Sequence, residues 1–262
     1  MVYLKLIVAA LRGKMEYKAA FFFFFFAIIF YYAGQIGVIL AVVHRFKVIS
    51  GWTLGEMAFL YGLLIFSQGL ASIIFNSLNF FEELTIKGDF DRILIRPLNP
   101  LGQVLCGNFE ISTVSYFFIG LAALIFGSGY SGIHWTWAKI MLLPLVIAGA
   151  VFIQGGIRIF VAAAAFWTIR NRSLVHTVVY SSKEFIYYPI SIYNGAIQFF
   201  LTFLFPLAFI NYYPSFYFLD KSESVLFHPL LQFGTPLVGA LVFTGALLFW
   251  KRGLGKYQGT GN

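Results

Sequence analysis

From Phe21 to Val43 the chain carries no charged side chain, and it opens that stretch with six consecutive phenylalanines. Wound as a helix at 1.5 Å per residue, such a run is about 34 Å long, enough to cross the hydrocarbon of a bilayer with slack for tilt. Lys5, Arg12, Lys14 and Lys18 precede it. The apolar run is too long for the core of a cleaved leader and no small-residue cleavage pattern follows, so it is expected to stay as a first span. The rest of the chain repeats the theme: 60% of the 262 residues are hydrophobic and 11% are charged. A water-soluble domain needs roughly a quarter of its residues charged to coat its surface, so no stretch here supplies a soluble domain.

The expected fold is therefore an all-α integral membrane protein of six transmembrane helices forming a single domain over 1–262. Thr53-Leu54-Gly55-Glu56 has capping-box spacing and opens a second span, Leu54 to about Phe75, with Trp52 as an interfacial aromatic. A polar segment from Asn76 to Pro100 must lie outside the hydrocarbon, because it carries Glu82, Glu83, Lys87, Asp89, Asp91, Arg92 and Arg96 and ends in Pro97-Leu98-Asn99-Pro100. A third span is expected at Leu105–Phe126. A fourth runs from about Ala138 to Ile169, with a kink or break where Gly155, Gly156 and Arg158 interrupt it. After Arg170 and Arg172 two readings stand. In one, Ser173–Tyr188 is a surface helix and Ile190–Ile210 the fifth span; in the other, Ser173–Tyr188 is the span and Asn194–Tyr213 a re-entrant pair broken at Pro206. The last span, Leu230–Trp250, is expected to kink at Pro236.

The net charge of +8 would suggest nucleic acid as a partner of a soluble protein, but here the bases sit between apolar blocks and set orientation. With the N-terminus inside, twelve basic residues face the cytoplasm: Lys5, Arg12, Lys14, Lys18, Lys87, Arg92, Arg96, Arg170, Arg172, Lys251, Arg252 and Lys256. Four, Arg45, Lys47, Lys139 and Lys221, face outward. Both termini are thus expected in the cytoplasm of a multi-pass cell (inner) membrane protein, with the segment before residue 20 lying as an amphipathic helix on the surface.

Catalytic signals are sparse. Gly253-Leu254-Gly255-Lys256-Tyr257 lacks the spacing and hydroxyl of a phosphate-cradling loop, so no cofactor is expected on this chain. His44, His134, His176 and His228 are scattered, and the single Cys106 cannot form an intrachain disulfide. Polar groups inside apolar stretches are the candidates for a pathway: Glu110, Arg158, and the adjacent Lys183 and Glu184. Each either lines a polar route or reaches an interface by placement and snorkelling. Most of the 33 phenylalanines and 15 tyrosines suit lipid contact and interfacial belts, while a minority could take flat or cationic molecules. Small-residue pairs such as Ala33/Gly37, Ser67/Ala71 and Thr235/Gly239 permit close helix packing.

Ile86-Lys87-Gly88-Asp89-Phe90-Asp91-Arg92-Ile93-Leu94-Ile95-Arg96-Pro97-Leu98-Asn99-Pro100 resembles the cytoplasmic loop after the second span of ABC-2 type permeases, the membrane subunits of ATP-binding-cassette exporters. Gly51-Trp52-Thr53-Leu54-Gly55-Glu56, Ala165-Phe166-Trp167, Tyr188-Pro189-Ile190-Ser191-Ile192-Tyr193 and Phe205-Pro206-Leu207-Ala208 agree with the small-permease branch, often proposed to export drugs or viologens. The resemblance covers nearly the whole chain.

It implies that residues 76–100 form a cytoplasmic coupling element and that Glu82, Glu83, Lys87, Gly88, Asp89, Phe90, Asp91, Arg92, Arg96 and Pro97 make the contact with ATPase subunits. It also favours the span at Ser173–Tyr188 and an outer re-entrant or loop region over 190–229. The implied partners are ABC ATPase subunits holding ATP and Mg, a second permease subunit, identical or paralogous, and membrane lipids, with no nucleic acid. The implied cargo is an amphiphilic or cationic organic compound, as in multidrug efflux, with a lipid or glycolipid as the alternative. An ion-coupled secondary transporter is the rival from another class, and it predicts paired intramembrane carboxylates or inverted repeats, neither of which is visible.

Overall fold

The computed structural model describes residues 3, 6–8, 10, 13, 18–46, 48–107, 113–168, 170–221 and 225–258. These residues form helices joined by short turns, and the only ladder pairing among them is the isolated bridge of Ile49 with Trp52. Helix α1 spans Lys18–Phe46. Phe22, Phe23, Phe24, Phe26 and Phe30 stay exposed along it, while Tyr32 turns inward and is buried. Helix α2, Leu54–Phe75, belongs to the most enclosed of the three long apolar helices. Its first turn is capped as the sequence predicts, the Thr53 backbone N–H donating to Glu56 Oε2 at 2.7 Å. Glu56 also pairs with Lys221 at 2.8 Å.

The apolar helix that starts with α2 continues to Ile86, through a 3-10 stretch, Asn76–Phe80, into α3, Phe81–Ile86. Gly88 then turns the chain at φ +72°, a left-handed conformation that suits glycine. Helix α4, Asp89–Leu94, and helix α5, Pro100–Gly107, follow. Helix α6 runs over Val114–Tyr130 rather than the expected Leu105–Phe126. Leu105 belongs instead to α5, whose start Asn99 caps by accepting from the Gly102 N–H at 3.1 Å.

Helix α7, Trp137–Thr168, is one uninterrupted α-helix with Pro144 inside it. The expected break at Gly155 and Gly156 is absent because both glycines make room for neighbours. A Cβ at Gly155 would lie 2.5 Å from the Phe75 ring, and one at Gly156 would lie 3.0 Å from Val242. From Arg172 to Ile186 the chain winds through an α turn, a π stretch at Val175–Tyr180 and a 3-10 stretch at Ser181–Ile186. Helix α8, Gly195–Phe199, runs on to Leu204. Helix α9, Tyr212–Phe218, follows a short 3-10 turn. The apolar halves Gly195–Leu204 and Leu207–Phe218 meet at 76° across Phe205-Pro206, the break of the second sequence reading. Helix α10, Thr235–Leu254, has Pro236 in its first turn. The expected kink is thus a helix start, since proline's missing N–H costs nothing there.

Among the described residues three helices are long and apolar enough to cross a membrane, Leu54–Ile86, Trp137–Thr168 and Thr235–Leu254, or four if the bent pair is one span. Phe22–Gln35 and Val114–Tyr130 are shorter apolar helices. The core is made where α2 lies against α6 and α7, and α7 against α10.

Candidate functional site

The sequence singles out residues 76–100, and the structure builds this segment around two aromatic anchors. Phe81 and Phe90 are fully buried, with ring centroids 5.0 Å apart. Around them stand Phe166, near the end of α7, Trp250 of α10 and Tyr257 beyond it, at 4.9 to 6.4 Å from one ring or both. Two neighbouring rings in edge-to-face contact add to what their burial contributes, so α3 and α4 are fastened to the ends of α7 and α10 as one body. Burial, and after it the nearby Asp91 carboxylate, push the Tyr257 phenol up to about 12, so it stays neutral at physiological pH. Gln103 closes the exit, its amide donating to the carbonyls of Ile93 and Leu98 at 3.1 and 3.2 Å. Tyr3 lies against the same exit, its hydroxyl accepting from the Asn99 N–H at 3.3 Å.

The ten candidate contact residues divide between interior and surface. Phe90 is in the core, and Glu82 accepts a 2.7 Å hydrogen bond from the Asn171 backbone. Asn171, itself buried, donates its side-chain amide to the Val161 carbonyl at 2.7 Å. Gly88 makes the turn, and Asp89 and Asp91 are half-buried. Glu83, Lys87, Arg92, Arg96 and Pro97 face outward, with Lys87 3.4 Å from Glu83 and Arg92 3.6 Å from Asp89. Sequence reasoning missed Ile95, which is 84% exposed, with its neighbour Leu94 and, at the end of α3, Ile86 also partly exposed. The signal was present: Ile93-Leu94-Ile95 is a run of three apolar residues at the end of a six-residue helix, and one helix face cannot hide all three.

A second cluster lies within the helices. Gln68 of α2 donates to the Tyr32 hydroxyl at 3.2 Å, Gln154 of α7 to Ser67 at 2.9 Å, and Arg158 of α7 to Ser72 at 3.1 Å. This ladder of polar contacts holds α1, α2 and α7 together. Beside it a cavity of about 390 Å³ opens between α1 and the Arg172–Ile186 segment, lined in part by Tyr31, Tyr32, Tyr116, Tyr180, Lys183 and Glu184. Three of the four pathway candidates, Arg158, Lys183 and Glu184, thus fall in or behind one region. Glu110 lies outside the described residues, as does most of the expected N-terminal amphipathic helix. The cavity wall is joined to the charged segment at Tyr180, whose hydroxyl accepts from the Asn79 amide at 3.0 Å, and the chain just before that wall is held through Asn171 and Glu82.

A family model described as ABC-2 family transporter protein matches residues 28–261. The chain belongs to that family. It is accordingly a membrane protein and a permease component of an ABC transporter. No curated protein and no solved structure matches it. An ABC-2 permease works with ABC ATPase subunits and is generally the membrane subunit that lacks an ATPase site of its own. Among the described residues no group of His, Cys, Asp and Glu is arranged to hold a metal ion.

Proposed function

We propose that this ABC-2 permease is one half of an exporter: it crosses the cell (inner) membrane six times with both termini in the cytoplasm, and pairs with an identical or paralogous permease. Separate subunits bind ATP and Mg and drive it, and this chain carries no cofactor. In this reading α1, α2, α6, α7, the Arg172–Ile186 segment and α10 are the six spans. The bent pair α8–α9 forms an outer re-entrant hairpin. The cargo is an amphiphilic organic compound, with a lipid or glycolipid as the alternative.

The observation that carries the reading is the division of labour in residues 76–100. Its inner face is fixed by Phe81 and Phe90, while Ile95 stands exposed between Arg92 and Arg96 in the chain, and Glu83 and Lys87 are exposed on the same segment. An exposed isoleucine flanked by arginines on a charged segment is the composition of a docking point with an apolar anchor and a polar rim. A displacement there reaches the cavity wall through Asn79–Tyr180, and the chain leading into that wall through Glu82–Asn171. On that wall His176, Tyr180 and Glu184 are exposed. Polar side chains at membrane depth avoid lipid, so this face suits a water-filled route or the seam with the second subunit.

The test is Ile95→Asp with Arg92→Glu in the assembled transporter in proteoliposomes. ATPase binding or cargo-stimulated hydrolysis should fall, while the permease itself remains folded. Unchanged hydrolysis and transport would remove the coupling role from this segment.

A further inference from the structure

The wall of the cavity between α1 and the Arg172–Ile186 segment is rich in hydrogen-bond donors and in positive charge. Tyr31, Tyr32, Tyr116, Tyr180 and Tyr187 bring five phenols to it, and Ser181 a further hydroxyl. Lys183 is 6% exposed and has no hydrogen bond or ion pair among the described residues; its ammonium lies 5.1 Å from the centroid of the Tyr180 ring. Glu184, next in the chain, is exposed and forms no ion pair with it. Behind the tyrosines Arg158 is 3% exposed, donates to the Gln154 carbonyl at 3.3 Å and to Ser72, and leaves its Nε without a partner. Its charge acts on Lys183 and on Tyr32, Tyr116 and Tyr180. His176 completes the titratable groups on the wall. Two desolvated cations therefore face one exposed acid. A buried cation without a counter-ion is costly, and an anion entering the cavity relieves that cost.

We propose that this cavity binds the anionic headgroup of an amphiphile, a phosphate or carboxylate attached to an apolar body. Lys183 makes the direct ion pair, the tyrosine hydroxyls and Ser181 donate to the remaining oxygens, and Arg158 adds its field from behind. Aromatic faces beside the head cover the first carbons of the apolar part. At about 390 Å³ the cavity is of ligand size. A cationic cargo meets the opposite situation, because Lys183 already occupies the Tyr180 face that would attract it and like charges exclude it. The site rests on the permease reading only for its role in export.

The test uses the full chain in phosphatidylcholine nanodiscs, with empty discs as reference, titrated calorimetrically with dodecyl phosphate and with dodecyltrimethylammonium. Dodecyl phosphate should bind at least about tenfold tighter than the ammonium compound. Lys183→Gln should weaken it about tenfold or more, and Lys183→Arg should stay within about threefold of the wild type. Tyr116→Phe, which keeps the ring and removes one donor, should weaken it about two- to tenfold. Repeating the titration in phosphatidylglycerol discs separates two sources of the headgroup. A lower apparent affinity there identifies the membrane lipid and an unchanged one a free organic anion, and both support an anion site. Preference for the ammonium compound, or equal affinity of Lys183→Gln and wild type, overturns it. Binding needs no ATPase, so a chain that binds the anion but exports nothing would count against the exporter reading and leave the site intact.

Discussion

Phe90 and Ile95 lie on the same short stretch of chain, yet one is sealed among Phe81, Phe166, Trp250 and Tyr257 and the other stands in solvent. Removing each should therefore fail differently. Phe90→Ala opens a cavity in the aromatic cluster and should lower stability by about 3–5 kcal/mol, read by thermal unfolding of the detergent-solubilised chain. Ile95→Asp touches no packed neighbour and should stay within about 0.5 kcal/mol of the wild type in the same measurement. Gly88→Val forces a branched side chain into the left-handed region and should cost about 1–2 kcal/mol. At this scale the sequence was informative about charge and blind to direction. The acids and bases of residues 82–96 could be read off, but that Glu82 turns back to hold Asn171 depends on a loop far along the chain. Phe90, read as part of a contact motif, is buried because Trp250 and Tyr257 arrive from the other end of the protein. Sequence spacing carries no information about that meeting.

Among the helices, close approach is set by glycine. On α2, Gly55, Gly62 and Gly69 recur every seven residues, and on α6 Gly120 and Gly127 do the same, each against the backbone of the partner helix. A Cβ at Gly62 would lie 2.6 Å from the Leu124 nitrogen and one at Gly69 2.8 Å from that of Phe117. Without water in the bilayer to drive helices together, contact of this closeness is what holds them, as small residues allow. Gly62→Ala should then cost about 1–3 kcal/mol by forcing the helices apart, whereas Gly129→Ala, which meets nothing within 4 Å, should cost nothing. The outcome is read as the difference in thermal unfolding midpoint between the two variants. Thr235 and Gly239, small residues whose spacing in the sequence permits close packing, do pack against α7, with Thr235 O 2.6 Å from a Cβ at Gly149. The sequence shows the glycines seven apart on α2 and α6, but their partners are set by how the two helices meet. Proline and glycine were likewise misread in α7 and α10, because a residue that can break a helix can also start one or admit a neighbour.

For the molecule as a whole, apolar blocks made the class legible at once, and the charged segment with its proline exit made the family legible. Helices α1, α2, α7 and α10 lie close to the apolar blocks read from the sequence, whereas α6 starts at Val114 rather than at Leu105. The region from Arg172 to Phe218 was the hardest to read, since its π and 3-10 windings and the 76° break at Pro206 answer to packing against α7 and α2 rather than to any local period. Orientation is testable in a Cys106→Ser background. A membrane-impermeant maleimide should label His134→Cys from outside the cell and Arg96→Cys only after permeabilisation, and the reverse pattern would invert the topology. The proposed drive for this permease is an ATPase outside the chain, acting through the face around Ile95. Its most direct measurement is purification of the tagged permease from its native membrane, with ATP hydrolysis assayed in wild type and Ile95→Asp. An ATP-binding-cassette subunit should co-purify with hydrolytic activity, and both should be lost in Ile95→Asp while the permease keeps its unfolding temperature. A wild-type permease that purifies alone and without hydrolysis, or an Ile95→Asp complex as active as the wild type, would overturn it.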